Sequence, residues 1–369
     1  MKPGARAVCA IALVTAGCRE VEVDLPPTIA SSKYIEYHTD ADASVICMDD
    51  FLAREDAFIE RTAMLLGVEP PSRTIHYVWD PSPDESEWPC PPNADCYVEA
   101  TNTELSAVMS RRARHHHELV HAVEILALGV GHPGLQEGLA EYLGTLETTL
   151  TLPDDFPAAV KGAFVAPDPG DYVLAMQFVG WIFEHHGADK YRALRAKMPK
   201  DAKLEAFAGV FAAEFGRSLD DALEEMSGEV IYGQDLFDGC ADGEVGEIEW
   251  TSAGLIETTI EGECGDPWFF GTGFVAGQQG FTGLYAIEVP EAGRYALTVG
   301  AVGDGPVPLR GLLGACSFEM LGSGVGSFGG QRREGVLQAG RHVLGIGYPQ
   351  GPEARGAATV KLEYLGPPP

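Results

Sequence analysis

At 369 residues, 45% of them hydrophobic, the chain is long enough to bury two separate cores. Its 55 Asp and Glu against 25 Lys and Arg leave a formal net charge of −30, which repels phosphate backbones and anionic headgroups and argues against nucleic acid as a partner. Most of the 45 glycines fall after residue 230, the composition of a strand-and-turn-rich second half.

The N-terminus has the pattern of an export signal, read as residues 1–17. Lys2 and Arg6 precede "AVCAIALVTAG", an apolar run too short to span a bilayer. Its end, "LVTAGC", resembles the lipobox of bacterial lipoproteins. That resemblance implies a lipid on Cys18, a membrane anchor through it and, with Arg19 following, the outer membrane of the cell envelope. The alternative is cleavage after "VTA" and free secretion. Export permits disulfides. Cys47, Cys90, Cys96, Cys240, Cys264 and Cys316 remain, and six cysteines allow fifteen pairings. Cys90 and Cys96 bracket the turn-like "PPNAD" and suit a local pair, in which case full pairing needs one bridge between the two halves.

Residues 18–31 are polar and proline-containing and are read as a tether. "KYIEYHT" and "RTIHYVWD" alternate as strands, with "LSAVMS" a third, and "MDDFLAREDAFIERTAMLLGV" has helical spacing. From residue 111 the pattern is helical. "RRARHHHELVHAVEILAL" runs to the glycines of "GVGHPG", and Pro133 opens "LQEGLAEYLGTL". "DYVLAMQFVGWIFEHHG" ends at Gly187, a natural left-handed cap, and "KLEAFAGVFAAEFGRSLDDALEEM" closes a first domain over 32–230. Residues 231–369 read as all-β. "AGRYALTVG" at 292–300 and "AGRHVLGIG" at 339–347 repeat one turn-strand unit, as in a sandwich of two related halves. The fold class is therefore α+β followed by a β-sandwich, with Trp268, Phe269 and Phe270 read as core aromatics in preference to a sugar-stacking platform.

The stretch "RHHHELVHAV" carries the chemistry. His117, Glu118 and His121 form HExxH, and four-residue spacing on a helix turns both imidazoles toward one ion. A catalytic zinc needs a third protein ligand and an open position for water. Glu137 in "QEGLAEYL" follows His121 after a glycine-rich break that lets the second helix fold back. Glu141, one turn on, can orient a ligand histidine through its other ring N–H. His115, His116, His185 and His186 read as exposed.

HExxH followed by "EGLAEY" resembles the gluzincin metallopeptidases, in particular the peptidase MA-like group. The likeness extends from about residue 32 to 228. It implies one zinc per chain on His117, His121 and Glu137. It also implies Glu118 as catalytic base toward a zinc-bound water, and a peptide or protein substrate. Tyr172, which starts the helix the family places across the cleft, is the candidate oxyanion donor. The β-rich half resembles the pre-peptidase C-terminal type of sandwich. The rival reading is a non-catalytic binding or adhesion lipoprotein that keeps the same fold.

Overall fold

The computed structural model describes residues 6–8, 20–22, 25–43, 46–92, 94–99, 106–144, 152–165, 171–229, 231, 245–266, 268–275, 278–303, 305–306, 308, 310–315, 324–349 and 355–368. They divide into two units. The first takes in 1–40, 55–111 and 115–236, and the second 41–54, 112–114 and 237–369. Cys9, Cys18, Cys240 and Cys316 lie outside the described residues, and with them the expected lipidation site.

In the first unit, Arg6–Val8 (β1) pairs with Glu20–Glu22 (β2). A five-stranded sheet follows, built from Thr28–Ser31 (β3), Ile35–His38 (β4), Ile75–Trp79 (β5), Cys96–Glu99 (β6) and Ser106–Ser110 (β7). Its order is β3-β4-β5-β7-β6. The central pairs β4/β5 and β5/β7 are parallel, and the outer pairs are antiparallel. The tether expected over 18–31 is thus corrected at its end: Thr28–Ser31 hydrogen-bonds to β4 as an edge strand.

Alternation along β4 and β5 gives the sheet two distinct faces. One carries Ile35, Tyr37, Ile75 and Tyr77, all buried, with the two tyrosine rings stacked at 5.1 Å. The other carries Glu36, His38, His76 and Val78. Val78 joins a small cluster with Met109, Val98 and the Cys90–Cys96 disulfide, the local pair expected from sequence.

Helix Met48–Leu66 (α1) connects β4 to β5. Phe51, Leu52, Glu55, Phe58, Ile59, Thr62, Ala63 and Leu66 recur at helical spacing and are all buried. Gly67, at φ 64°, ends it. After β7 come His116–Leu128 (α2), Pro133–Gly144 (α3), Phe156–Val165 (α4), Tyr172–Lys197 (α5), Leu204–Phe215 (α6) and Leu219–Met226 (α7). Gly187 interrupts α5, but its φ 78°, ψ 168° is not the left-handed cap expected there, and helical turns resume to Lys197. The single helical region expected after it is two helices. Gly216 in the left-handed region ends α6, and Ser218 caps α7 by accepting from Asp221 N–H.

The second unit is dominated by Gly246–Glu247 (β8), Leu255–Glu263 (β9), Phe269–Val275 (β10), Gln278–Val289 (β11), Gly293–Gly300 (β12), Arg310–Ala315 (β13), Gly324–Phe328 (β14), Arg333–Leu337 (β15), Gly340–Pro349 (β16) and Arg355–Gly366 (β17). The strand path runs β10-β11-β16-β13-β14-β15-β12-β17-β9, with β8 beside β11. The repeated sequence units are β12 and β16, each inside the path. Ile256 and Val360 from one end share a core with Phe269, Phe281 and Leu344 from the other. Phe269 is fully buried against Phe281 and Trp268 packs at the margin of this core, as expected of core aromatics, whereas the side chain of Phe270 lies outside the described residues.

The two units do not follow a single division at 230/231. Ala41–Arg54 and Arg112–Arg114 belong with the C-terminal strands. Cys47 is bonded to Cys264 and buried in the β-core, and Asp50 Oδ2 accepts from Gly265 N–H at 3.2 Å.

Candidate metal centre

The centre is built on the turn between α2 and α3. Helix α2 stops at Gly129, whose φ 71° and ψ −176° suit glycine alone, and Pro133 restarts the chain as the first residue of α3. A buried polar network fixes this turn. Arg195, from α5, donates through Nε to Glu124 Oε1 at 2.5 Å, and through its other nitrogens to the carbonyls of Leu128 (2.9 Å) and Gly129. Tyr191 Oη donates to Glu124 Oε1 at 2.8 Å, and Gln136 Oε1 accepts from Gly131 N–H at 3.0 Å. Glu124 is fully buried, so the guanidinium that pairs with it is a requirement of the fold rather than a surface ornament.

Two glycines then let the helices approach. A Cβ on Gly138 would lie 2.5 Å from the Ala175 carbonyl oxygen of α5, and one on Gly144 would lie 2.6 Å from the backbone nitrogen of His117. The glycine of "EGLAEY" is therefore a packing requirement.

The result is a convergence of three side chains. His117 and His121 lie one turn apart on α2 with rings 4.9 Å apart, and both face Glu137 of α3. Glu137 Oε2 is 3.1 Å from His117 Nε2 and 3.4 Å from His121 Nε2. One ligand atom from each residue falls within 4.8 Å of the other two, and all three residues are buried. Glu141 Oε2 accepts from His117 Nδ1 at 3.1 Å, which commits that nitrogen and leaves Nε2 to face the centre. Two imidazoles and a carboxylate are a donor set that fits a divalent metal ion.

The electrostatics agree with an anionic cradle. Burial opposes charge on His117, but the Glu137 and Glu141 carboxylates outweigh it and raise its pKa well above the ordinary imidazole value. His121 is raised against burial by Glu137 as well. Burial also works against ionised Glu137, yet the two histidines hold its carboxyl far below the usual range. Glu118, buried on α2 beside His117, adds its charge to the same field.

Each sequence-predicted residue is accounted for. Tyr172 opens α5, with its ring stacked on His117 at 5.9 Å and 16°. The neighbouring histidines depart from expectation, since neither His115 nor His116 is exposed. His116 is buried against Phe58 at 3.7 Å between rings and pairs with Glu55 Oε1 at 3.2 Å. His115 Nδ1 meets Asp95 Oδ2 at 3.0 Å. Their partners come from α1 and from the segment before β6, which local spacing does not reveal. His185 and His186 are exposed, as expected. Glu124, Gln136, Tyr191 and Arg195 belong to no sequence motif of the site. Glu124 did carry a signal: it lies seven residues beyond His117, on the same helical face, in an otherwise apolar run.

No family model matches the chain, and no curated protein matches it. Among solved structures, "CBM35 from Cellvibrio japonicus Abf62" is similar at 17% identity over 33% of this chain and 84% of its own. Its TM-score is 0.17, too low a likeness to carry an argument about fold or function.

Proposed function

We propose that the chain is a zinc-dependent metallopeptidase of gluzincin type. In this reading the first unit is the catalytic domain and the β-rich unit is a sandwich of pre-peptidase C-terminal type. The observation that carries it is the meeting of His117, His121 and Glu137 around one point, with Glu118 beside the first ligand and Glu141 behind it.

Bound zinc would supply a Lewis acid for the scissile carbonyl and lower the pKa of a coordinated water toward ~7. The chain's own residues do the rest. Glu118 accepts a proton from the attacking water and passes it to the leaving amine. Tyr172, held against the His117 ring, donates a hydrogen bond from its hydroxyl to the developing oxyanion. Strand β6 ends the sheet among the described residues and packs on α2, so its outer edge is where an extended peptide would add as a further strand.

The proposal extends to the cell envelope through Lys2, Arg6, the apolar run and Cys18. No helix among the described residues is long and apolar enough to cross a membrane. The test is incubation of the zinc-loaded chain with a mixture of unstructured peptides. Cleavage that a chelator stops and zinc restores supports the proposal, and zinc-loaded protein that cleaves none of them counts against it.

A further inference from the structure

A second group of metal-ligating side chains lies in the first unit, on the parallel pair β4/β5. We propose that Glu36, His38 and His76 form a separate site for a divalent transition-metal ion of the zinc class. The two sites together would give two ions per chain, one more than HExxH and Glu137 imply.

Register places the three residues together. Glu36 and His76 are partners across the β4/β5 ladder, and His38, two positions along from Glu36, projects from the same face. His38 Nε2 is 3.0 Å from His76 Nδ1, His76 Nδ1 is 3.5 Å from Glu36 Oε2, and His38 Nε2 is 3.9 Å from the same oxygen. The two longer separations exceed the 2.7–3.2 Å range of N–H···O hydrogen bonds, so the carboxylate is not held there by hydrogen bonding to the rings. They suit ligands of a shared ion instead. Metal bonds of ~2.0–2.1 Å set ligand atoms about 3.3–3.4 Å apart in a tetrahedron. The three observed separations, 3.0, 3.5 and 3.9 Å, bracket that spacing, so side-chain shifts of a few tenths of an ångström would bring all three ligand atoms to bonding distance of one ion.

The tautomer is also set. Pro26 C=O lies 2.9 Å from His38 Nδ1 and accepts its hydrogen, which leaves Nε2 with a lone pair directed at the group. His38 is buried, whereas His76 and Glu36 are partly exposed, so an ion can enter from solvent and keep water on its open side. The net charge of −30 favours any cation near the surface. An ion here would tie the segment leading into β3, through Pro26, to the middle of the sheet. This inference stands apart from the peptidase proposal, because the two groups share no residue.

The test is equilibrium dialysis of the purified full chain against zinc alone, with bound zinc counted by elemental analysis. The parent is expected to hold two ions. Glu36→Gln and His76→Gln are each expected to hold one at a zinc concentration that saturates the parent, or to bind the second at least ~10-fold more weakly. Glu36→Gln keeps shape at a partly exposed position and decides the matter should His76→Gln fold poorly. Glu137→Ala separates the two proposals. If it holds as much zinc as the parent while His76→Gln loses one ion, the peptidase site fails and this one stands. Parent-like zinc content and affinity in both Glu36→Gln and His76→Gln would overturn the inference and leave His38 and His76 as a hydrogen-bonded pair.

Discussion

Glu141 Oε2 sits 3.1 Å from His117 Nδ1, while the other nitrogen of the same ring meets Glu137. The imidazole is thus clamped between a carboxylate that orients it and one that shares its proposed ligand sphere. Removing the orienting partner, as in Glu141→Ala, should weaken metal affinity about 10–100-fold. Glu141→Gln, whose amide oxygen can still accept, should lose less. Competition against a chromophoric chelator measures both, and equal affinity in Glu141→Ala and parent would remove Glu141 from the centre.

The close approach of the helices gives a second expectation. Gly138→Ala and Gly144→Ala force a methyl to within 2.5–2.6 Å of backbone atoms in neighbouring helices and should each cost roughly 1–3 kcal/mol. Gly144→Ala should also weaken metal binding, because the atoms it displaces belong to His117. Gly162→Ala, which meets nothing within 4 Å in α4, is the control and should be neutral or stabilising by up to about 1 kcal/mol. Urea unfolding of the three variants ranks them.

Arg195→Met would leave the Glu124 carboxylate buried with its cation gone. Breaking such a pair costs about 3–5 kcal/mol, read as a fall in the denaturation midpoint. The double variant Glu124→Gln/Arg195→Met removes both charges and should regain part of the loss. A single variant as stable as the parent would show that the pair does not hold the turn.

Asp95 gives the chain an acid-sensitive joint. Burial works against its ionised form, but His115, the Arg111 backbone N–H and the Ser110 hydroxyl prevail and depress its pKa to about 2. The unfolded value is about 3.9, so the folded state binds this proton less readily. The contribution, roughly 2 kcal/mol, is present above about pH 4 and disappears as pH falls toward 2. Unfolding midpoints across that range should fall more steeply for the parent than for Asp95→Asn.

What the sequence made legible was local. The i, i+4 histidines, the proline that opens α3 and the six-residue Cys90–Cys96 loop are features a helix or turn imposes within a few residues. What it concealed depends on distant partners. Arg195 and Glu124 are separated by 71 residues, His116 and Glu55 by 61, and Cys47 and Cys264 by 217. The last pair, with Ala41–Arg54 counted among the C-terminal strands, also explains why a cut at residue 230 does not follow the structural units. Strand β6 and helix α4 are not legible in the sequence for a different reason. Each is short and flanked by residues with no periodic pattern of their own.

In the proposed mechanism Glu118 serves chemistry while His117, His121 and Glu137 serve the ion. Glu118→Gln keeps the side chain's size and its place on α2 but removes its capacity to accept a proton. Zinc content and peptide cleavage, measured on the same preparation of this variant and the parent, test the claim directly. Parent-like zinc content with turnover lowered by about 10²–10⁴-fold is the expected result. Cleavage by Glu118→Gln at the parent's rate would contradict it.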